Sequence, residues 1–295
     1  MRSPAEPVLA VVGDLVEDIV VWTSEPVRHG TDTAARVFRT RGGSAANVAA
    51  LASGAASARV RFIGCVGPDA AGDALVAALE RDGVDVRVQR RGTTGAVVLL
   101  VDPEGERTMF PDRGASAELG PIDPSYLDGV SWLHVPLYGF ERDPARSSVL
   151  GLLALARERG AGVSVDASST GLLASLGIEE VAAMLRELAP EVLFANETEA
   201  EALGLAAGGP AAAAVAATVV VKHGPDPTTV FERGRPTLRV EVEPVDVVRD
   251  LTGAGDAFAA GYLAATLAGA AAHEAVLAGH ALAARVITTA GATPM

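Results

Sequence analysis

The sequence predicts an α/β fold, a three-layer α/β/α sandwich around a mostly parallel sheet, with a small β-sheet inserted in it as a lid. Three observations carry this expectation. Short apolar runs alternate with amphipathic helical stretches along most of the chain. Two regions break that alternation with pairs of strand-like runs and no helix between them. A chain of 295 residues, 49% of them hydrophobic, can also bury a large core.

The apolar runs at 9–12, 60–66, 132–135, 162–165, 192–194 and 218–221 are short and continuous, as strands covered on both faces must be. Helical patterns separate them, for example 144–159, where Asp143 is placed to cap and Pro144 to open the first turn. The Ala-rich stretch 206–217 reads as another helix. The first break covers 18–40, with strand-like runs at 19–22 and 35–40. The second, over 93–111, reads as a hairpin: 95–101 and 107–110 flank the turn Asp102-Pro103-Glu104-Gly105. Both excursions leave and rejoin the main pattern. The four strands are therefore expected to form a lid inserted at about 15–41 and 92–112 within one domain spanning 1–295.

Composition narrows the function. The net charge is −13, from 37 acidic against 24 basic residues, which argues against nucleic acid or an anionic membrane as partner. It leaves room for a small phosphate ligand, which helix N-termini and backbone N–H groups can hold. No apolar run reaches the roughly 18–20 residues of a membrane span, and Met1–Glu6 lacks a signal-peptide hydrophobic region, so a soluble cytoplasmic protein is expected. Cys65 is the single cysteine and reads as a core thiol. The five histidines show no ligand spacing, which argues against a transition-metal site; His134 reads as a satisfied core or pocket-wall residue. Lys222 is the only lysine.

The most informative segment is Asp250-Leu251-Thr252-Gly253-Ala254-Gly255-Asp256-Ala257-Phe258, between a strand-like 244–248 and a helical pattern at 257–267. Small residues at 253–255 let the backbone wrap a ligand, and their N–H groups at a helix start form an anion hole. A carboxylate at 256 would repel a permanently bound phosphate but could serve a hydroxyl attacking one. In isolation the segment reads first as a Gly-rich turn with Asp capping a helix. It fits neither the P-loop nor the dinucleotide fingerprint, since Phe258 stands where a third Gly belongs. A second glycine segment, Arg41-Gly42-Gly43-Ser44-Ala45-Ala46-Asn47, leads into a helix with Ser44 as candidate N-cap and Asn47 near a ligand's path.

These two segments, together with Gly13-Asp14 and Asp18, Arg113-Gly114-Ala115, Asn196-Glu197-Thr198-Glu199 and Lys222-His223-Gly224, resemble in order and separation the ribokinase-like (PfkB) carbohydrate kinase family over roughly residues 8–290. The resemblance implies an ATP- and Mg²⁺-dependent kinase acting on a hydroxymethyl group of a sugar or sugar-containing molecule. By the same resemblance, Asp256 is the base, and Gly253, Ala254, Gly255 and Asp256 form the anion hole. Asn196 and Glu199 organise Mg²⁺ through water, while Lys222, Gly224 and Thr252 lie on the nucleotide side. Asp14, Asp18, Gly42, Gly43 and Asn47 hold substrate hydroxyls, and Arg113 adjoins them. Asp250 matches a residue near the monovalent-cation loop, although Leu251 replaces the usual Thr, so potassium activation is left open. The segment Ala167-Ser168-Ser169-Thr170 lacks the Asp-x-Asn-x-Arg pattern of two sugar-kinase branches, which keeps a nucleoside substrate open. A non-catalytic sugar or nucleotide sensor is the rival from another class, and it has no need of Asp256. Pairing of exposed lid edges predicts a homodimer.

Overall fold

The computed structural model describes residues 6–55 and 58–288; Met1–Ala5 and the last residues of the stretch that carries the resemblance lie outside the described residues. The strands are β1 (Val8–Val12), β2 (Val16–Thr23), β3 (Ala35–Gly42), β4 (Arg59–Val66), β5 (Asp85–Arg90), β6 (Thr94–Val101) and β7 (Arg107–Gly114). They continue as β8 (Val130–Pro136), β9 (Gly162–Asp166), β10 (Val192–Asn196), β11 (Thr218–His223), β12 (Asp226–Glu232) and β13 (Leu238–Val240). The helices are α1 (Ser44–Ala55), α2 (Ala70–Arg81), α3 (Ala145–Glu158), α4 (Thr170–Leu176) and α5 (Ile178–Leu188). Four more follow, α6 (Glu197–Ala202), α7 (Gly209–Val215), α8 (Ala254–Leu267) and α9 (Ala272–Ile287).

All six apolar runs are strands of one nine-stranded sheet, ordered β13-β12-β11-β10-β9-β8-β1-β4-β5. Every pair from β11 to β5 is parallel, and β12 and β13 extend the sheet antiparallel. Because side chains alternate along a strand, each one feeds two cores. Ala10 and Val12 join a cluster with α3, α4, α5 and α7, whereas Leu9 and Val11 join one with α1, α2, α8 and α9. Helices thus cover both faces, which is why the strand sequences are apolar without a break.

The smaller sheet has the order β3-β2-β6-β7, with β2 and β6 parallel and the outer pairs antiparallel. Val16, Val20, Val97 and Leu99 pack together on one of its faces. Asp18 and Trp22 share that face by alternation. The opposite face carries Ile19, Val21, Val98 and Leu100 and leaves Val37 61% and Phe110 56% exposed. Among the described residues, no helix is long and apolar enough to cross a membrane.

Four local expectations are corrected. Helix α3 begins at Ala145, with Pro144 at the cap position, and Asp143 instead accepts hydrogen bonds from the backbone N–H (3.1 Å) and hydroxyl (2.5 Å) of Ser147. Helix α7 covers only Gly209–Val215, because Gly208 and Gly209 both take positive φ and break the Ala-rich run. Residues 244–248 join no sheet: Pro244 lacks a ladder donor, and Val247 and Val248 stand more than half exposed. Helix α8 starts at Ala254, three residues early, because Gly253 caps it in the left-handed region at φ 76°.

Candidate active site

The site residues sit at the carboxyl ends of the parallel strands and at the starts of α1 and α8, where α/β sheets place ligands. Asp256 lies in the first turn of α8 and is held by two donors from α1. The Ser44 hydroxyl donates to Asp256 Oδ1 at 2.7 Å, and Asn47 Nδ2 donates to Asp256 Oδ2 at 3.0 Å. Ser44 and Asn47 are three residues apart on α1 and so share a face. Ser44 is therefore the first residue of the helix and a partner of Asp256, in place of the cap expected from its position. Burial pushes the Asp256 carboxyl up to about 7, with Asp166 and Asp14 adding to it and the Ser44 and Asn47 hydrogen bonds opposing it. A carboxyl titrating near neutrality is matched to accepting a hydroxyl proton.

Lys222, at the end of β11, reaches across β10 to Asp166 at the end of β9, with Nζ 2.9 Å from Oδ2. Burial opposes its charge, but Asp166 and Glu199 outweigh burial and hold the ammonium above the ordinary lysine value. The same ammonium stands 3.4 Å from where a Cβ on Gly255 would project, so the lone lysine of the chain borders the expected anion hole. Asp166 was not among the residues expected in the site. Its signal was a carboxylate ending an apolar run. Gly224 makes the turn between β11 and β12 at φ 63°.

Asn196 and Glu199 form a capping box at the start of α6. Asn196 Oδ1 accepts from the Glu199 N–H at 2.9 Å. In return, both Glu199 oxygens accept from the Asn196 backbone and side-chain N–H groups at 2.8 Å. Glu199 is 2% exposed, and its carboxyl is raised by burial first and by Asp166 second. Among the described residues, no group of three or more His, Cys, Asp or Glu side chains is placed to hold a metal. With Asn196 at the surface and Glu199 buried, the pair offers one carboxamide and one carboxylate, a donor set that suits an ion whose other ligands are water and phosphate.

The expected substrate residues gather on the other side. Asp14, 4% exposed, accepts from the Ala45 N–H at 3.2 Å and from Arg113 Nη1 at 2.7 Å. Arg113 also lies 3.9 Å from the centroid of the Tyr138 ring and 3.6 Å from Glu141. Asp18 crowds against Gly42: a Cβ there would fall 2.0 Å from its Oδ1, so only glycine lets that carboxylate in. Burial raises the Asp18 carboxyl to about 6, Asp14 adds to this, and Arg113 and Arg41 pull it down. Gly43, at φ 98°, carries the chain from this cluster into α1 beside Asn47.

Asp250 pairs with Arg107 of β7 at 2.8 Å and accepts the Thr252 N–H at 2.8 Å through the same oxygen. The Thr252 hydroxyl also contacts Arg107. The smaller sheet thereby touches the loop before α8, and an arginine stands on the residue matched to a cation loop. His134, fully buried, accepts from or donates to Ser164 through Nδ1 at 2.9 Å, while Nε2 has no hydrogen-bond partner. It is held neutral, with its pKa lowered to about 4 chiefly by burial. The satisfied histidine expected there is thus only half satisfied. Cys65 is fully buried, as a core thiol should be.

A buried carboxyl with a raised pKa beside a glycine-rich helix start and a fixed ammonium, on a parallel sheet with a second small sheet attached, is an arrangement suited to phosphoryl transfer to an alcohol. The family follows from comparison: the pfkB family carbohydrate kinase model matches residues 7–295, and the chain belongs to that family. It is 35% identical over 232 residues to an ATP-dependent ribose-1-phosphate kinase of Halopiger xanaduensis, covering 77% of this chain and 73% of the relative. It is 27% identical over 256 residues to an adenosine kinase of Schizophyllum commune, covering 76% and 72%. A putative ribokinase II of E. coli, solved with ATP and Mg²⁺, superposes with a TM-score of 0.84 at 21% identity over 97% of this chain and 94% of that one.

Proposed function

We propose that this protein transfers the γ-phosphate of ATP to a hydroxymethyl group of a sugar or sugar-containing small molecule, with Asp256 as general base. The observation that carries the reading is the Asp256 carboxylate, clamped by Ser44 and Asn47 within the anion-binding turn that Lys222 borders. Asp256 takes the hydroxyl proton as the oxygen attacks the γ-phosphorus in line with the departing ADP. Backbone N–H groups of the 253–256 turn, apart from that of Ala254, which donates to the Leu251 carbonyl at 3.2 Å, and the Lys222 ammonium stabilise the charge on the moving phosphoryl group. Lys222, Gly224 and Thr252 bind on the nucleotide side. Asp14, Asp18, Gly42, Gly43, Asn47 and Arg113 hold and shape the substrate. Mg²⁺, kept through water by Asn196 and Glu199, neutralises phosphate charge when bound. Potassium enters this reading only if Arg107 leaves Asp250. The smaller sheet closes as a lid that keeps water from accepting the phosphate.

The names of the relatives, a ribose-1-phosphate kinase and an adenosine kinase, support ribose-bearing acceptors. A nucleoside is favoured by one further observation: Trp22, 48% exposed on the Asp18 face, offers a surface on which a base could stack. The exposed apolar face around Val37 and Phe110 supports a homodimer through the lid in a soluble cytoplasmic enzyme. The test is ADP formation with Mg²⁺-ATP against a panel of pentoses, hexoses, sugar acids, ribose 1-phosphate and nucleosides, run beside Asp256→Asn. A substrate-dependent rate that the variant loses supports the reading. Binding of sugars and ATP with no ADP formed on any member would favour a sensor instead.

A further inference from the structure

Asn47 can help an ionised Asp256 only if its NH₂ end points there, because a carboxylate accepts and cannot donate. The two ends of a carboxamide are nearly equal in shape, so something must tell them apart. In the structure, Nδ2 faces Asp256 Oδ2 at 3.0 Å and Oδ1 lies 3.3 Å from Arg41 Nη1. A guanidinium only donates and is always charged. With a pure donor at one end and a pure acceptor at the other, one orientation satisfies both, and the reverse orientation satisfies neither.

Arg41 is built into this place. It is the next-to-last residue of β3, three positions before α1 begins, is 6% exposed, and its Nη1 also donates to the Ala46 carbonyl at 2.8 Å. Its carboxylate neighbour Asp82 stands 3.7 Å from Nη2, and that nitrogen makes no hydrogen bond. A buried guanidinium so incompletely paired is a poor stabiliser of the fold. We infer that Arg41 is a positioning residue, which fixes the orientation of the Asn47 carboxamide and so keeps Asp256 ready to accept a proton. The inference rests on Asp256 being the base.

The groups around Asp256 are Ser44 and Asn47 on α1, Lys222 on β11, Asp166 on β9, Asp14 after β1 and Arg41 on β3. Arg41 itself also faces Asp18 on β2 and Asp82 after α2, so that its charge acts on two carboxyls that titrate near neutrality, Asp18 and Asp256. Loss of Arg41 could therefore act through its charge alone or through Asn47. A double-mutant cycle separates the two. The acid limb of the kcat/KM–pH profile is measured in Arg41→Met and Arg41→Gln, either of which suffices if the other fails to fold. Each is then repeated in an Asn47→Ala background.

The expected result is an upward move of about one pH unit or more, roughly tenfold in kcat/KM on the acid side, that shrinks to less than half in the Asn47→Ala background. Arg41→Lys, which keeps the charge and the donors, should return the limb towards the parent. Equal moves in both backgrounds, or none in either, would overturn the positioning role. Failure of the underlying reading looks different: the parent would then show no acid limb near neutrality, and Asp256→Asn would keep turning over.

Discussion

Replacing Asp256 by Asn should remove turnover and, above neutral pH, make the protein more stable. The reasoning starts from a carboxyl whose pKa rises from 3.8 to about 7 on folding, chiefly through burial. Between those values the folded protein keeps a proton that the unfolded chain has released. Stability therefore falls as pH rises across that window, and the loss is complete above it. At 1.36 kcal/mol per unit, the ionised carboxylate opposes folding by about 4 kcal/mol at most. Asparagine has no proton to release and avoids this penalty. It can still accept from Ser44, but its own NH₂ then faces that of Asn47, which forfeits a hydrogen bond of about 1 kcal/mol. The net gain near pH 8 is about 2–3 kcal/mol, or roughly 5 °C in Tm for a chain of this size. Near pH 5 little of it should remain.

The assay is calorimetric or dye-monitored melting of both proteins from about pH 5 to pH 9, with ADP formation measured in the same buffers. A Tm difference that does not change with pH would refute the assigned burial of charge. Retention of more than about a tenth of the parental kcat would refute the role of the base, since such groups supply roughly 10²–10⁴-fold.

Ser44→Ala removes the 2.7 Å bond to Asp256 and should lift the acid limb of kcat/KM by about one unit, with rates recovering at high pH; a loss independent of pH would count against it. Asp18→Ala should lower kcat/KM for the acceptor by about 10²-fold while leaving the KM for ATP alone, and unchanged acceptor kinetics with a lowered Tm would make it a structural residue. An acyl phosphate of ATP should acylate Lys222, the only lysine, in a reaction that ATP blocks, and a peptide map free of label at that residue would remove it from the phosphate site. Glu199→Gln should raise the Mg²⁺ concentration needed for half-maximal rate, because it weakens the capping box that sets Asn196, and a superimposable titration would disprove this.

What the sequence revealed depended on how local the governing physics was. Six strands could be read because a strand covered by helices on both faces must be apolar throughout, and the run at 192–194 has no polar residue to blur it. The hairpin around Asp102–Gly105 was legible from turn chemistry. The same local signals misled at 244–248, where valines beside Pro244 imitate a strand but meet no partner. Pairings over long separations left no trace: Asp166 meets Lys222 across 56 residues, Ser44 meets Asp256 across 212, and Arg107 reaches Thr252 across 145. Ser44 was the instructive case. A hydroxyl at a helix start fits a cap, and only the approach of α8 to α1 shows that its acceptor is the carboxylate.

That approach also shapes the setting of the proposed base. Asp256 is not held by its own helix, since both donors come from α1, and α1 begins where β3 of the smaller sheet ends. The carboxylate of Asp18 reaches the site only because Gly42, the last residue of β3, lacks a side chain. In the proposed reading, a hydroxyl-bearing ligand at Asp18 would lie against the same strand end that leads into Ser44 and Asn47. Burial raises both carboxyls, Asp18 to about 6 and Asp256 to about 7, and Arg113 and Arg41 oppose the rise at Asp18 as Ser44 and Asn47 do at Asp256. The first can accept hydrogen bonds from ring hydroxyls before chemistry starts, and the second can take one proton without holding it too tightly to let go. Three residues of backbone, Gly42 to Ser44, thus join the strand that makes room for Asp18 to the helix that holds Asp256.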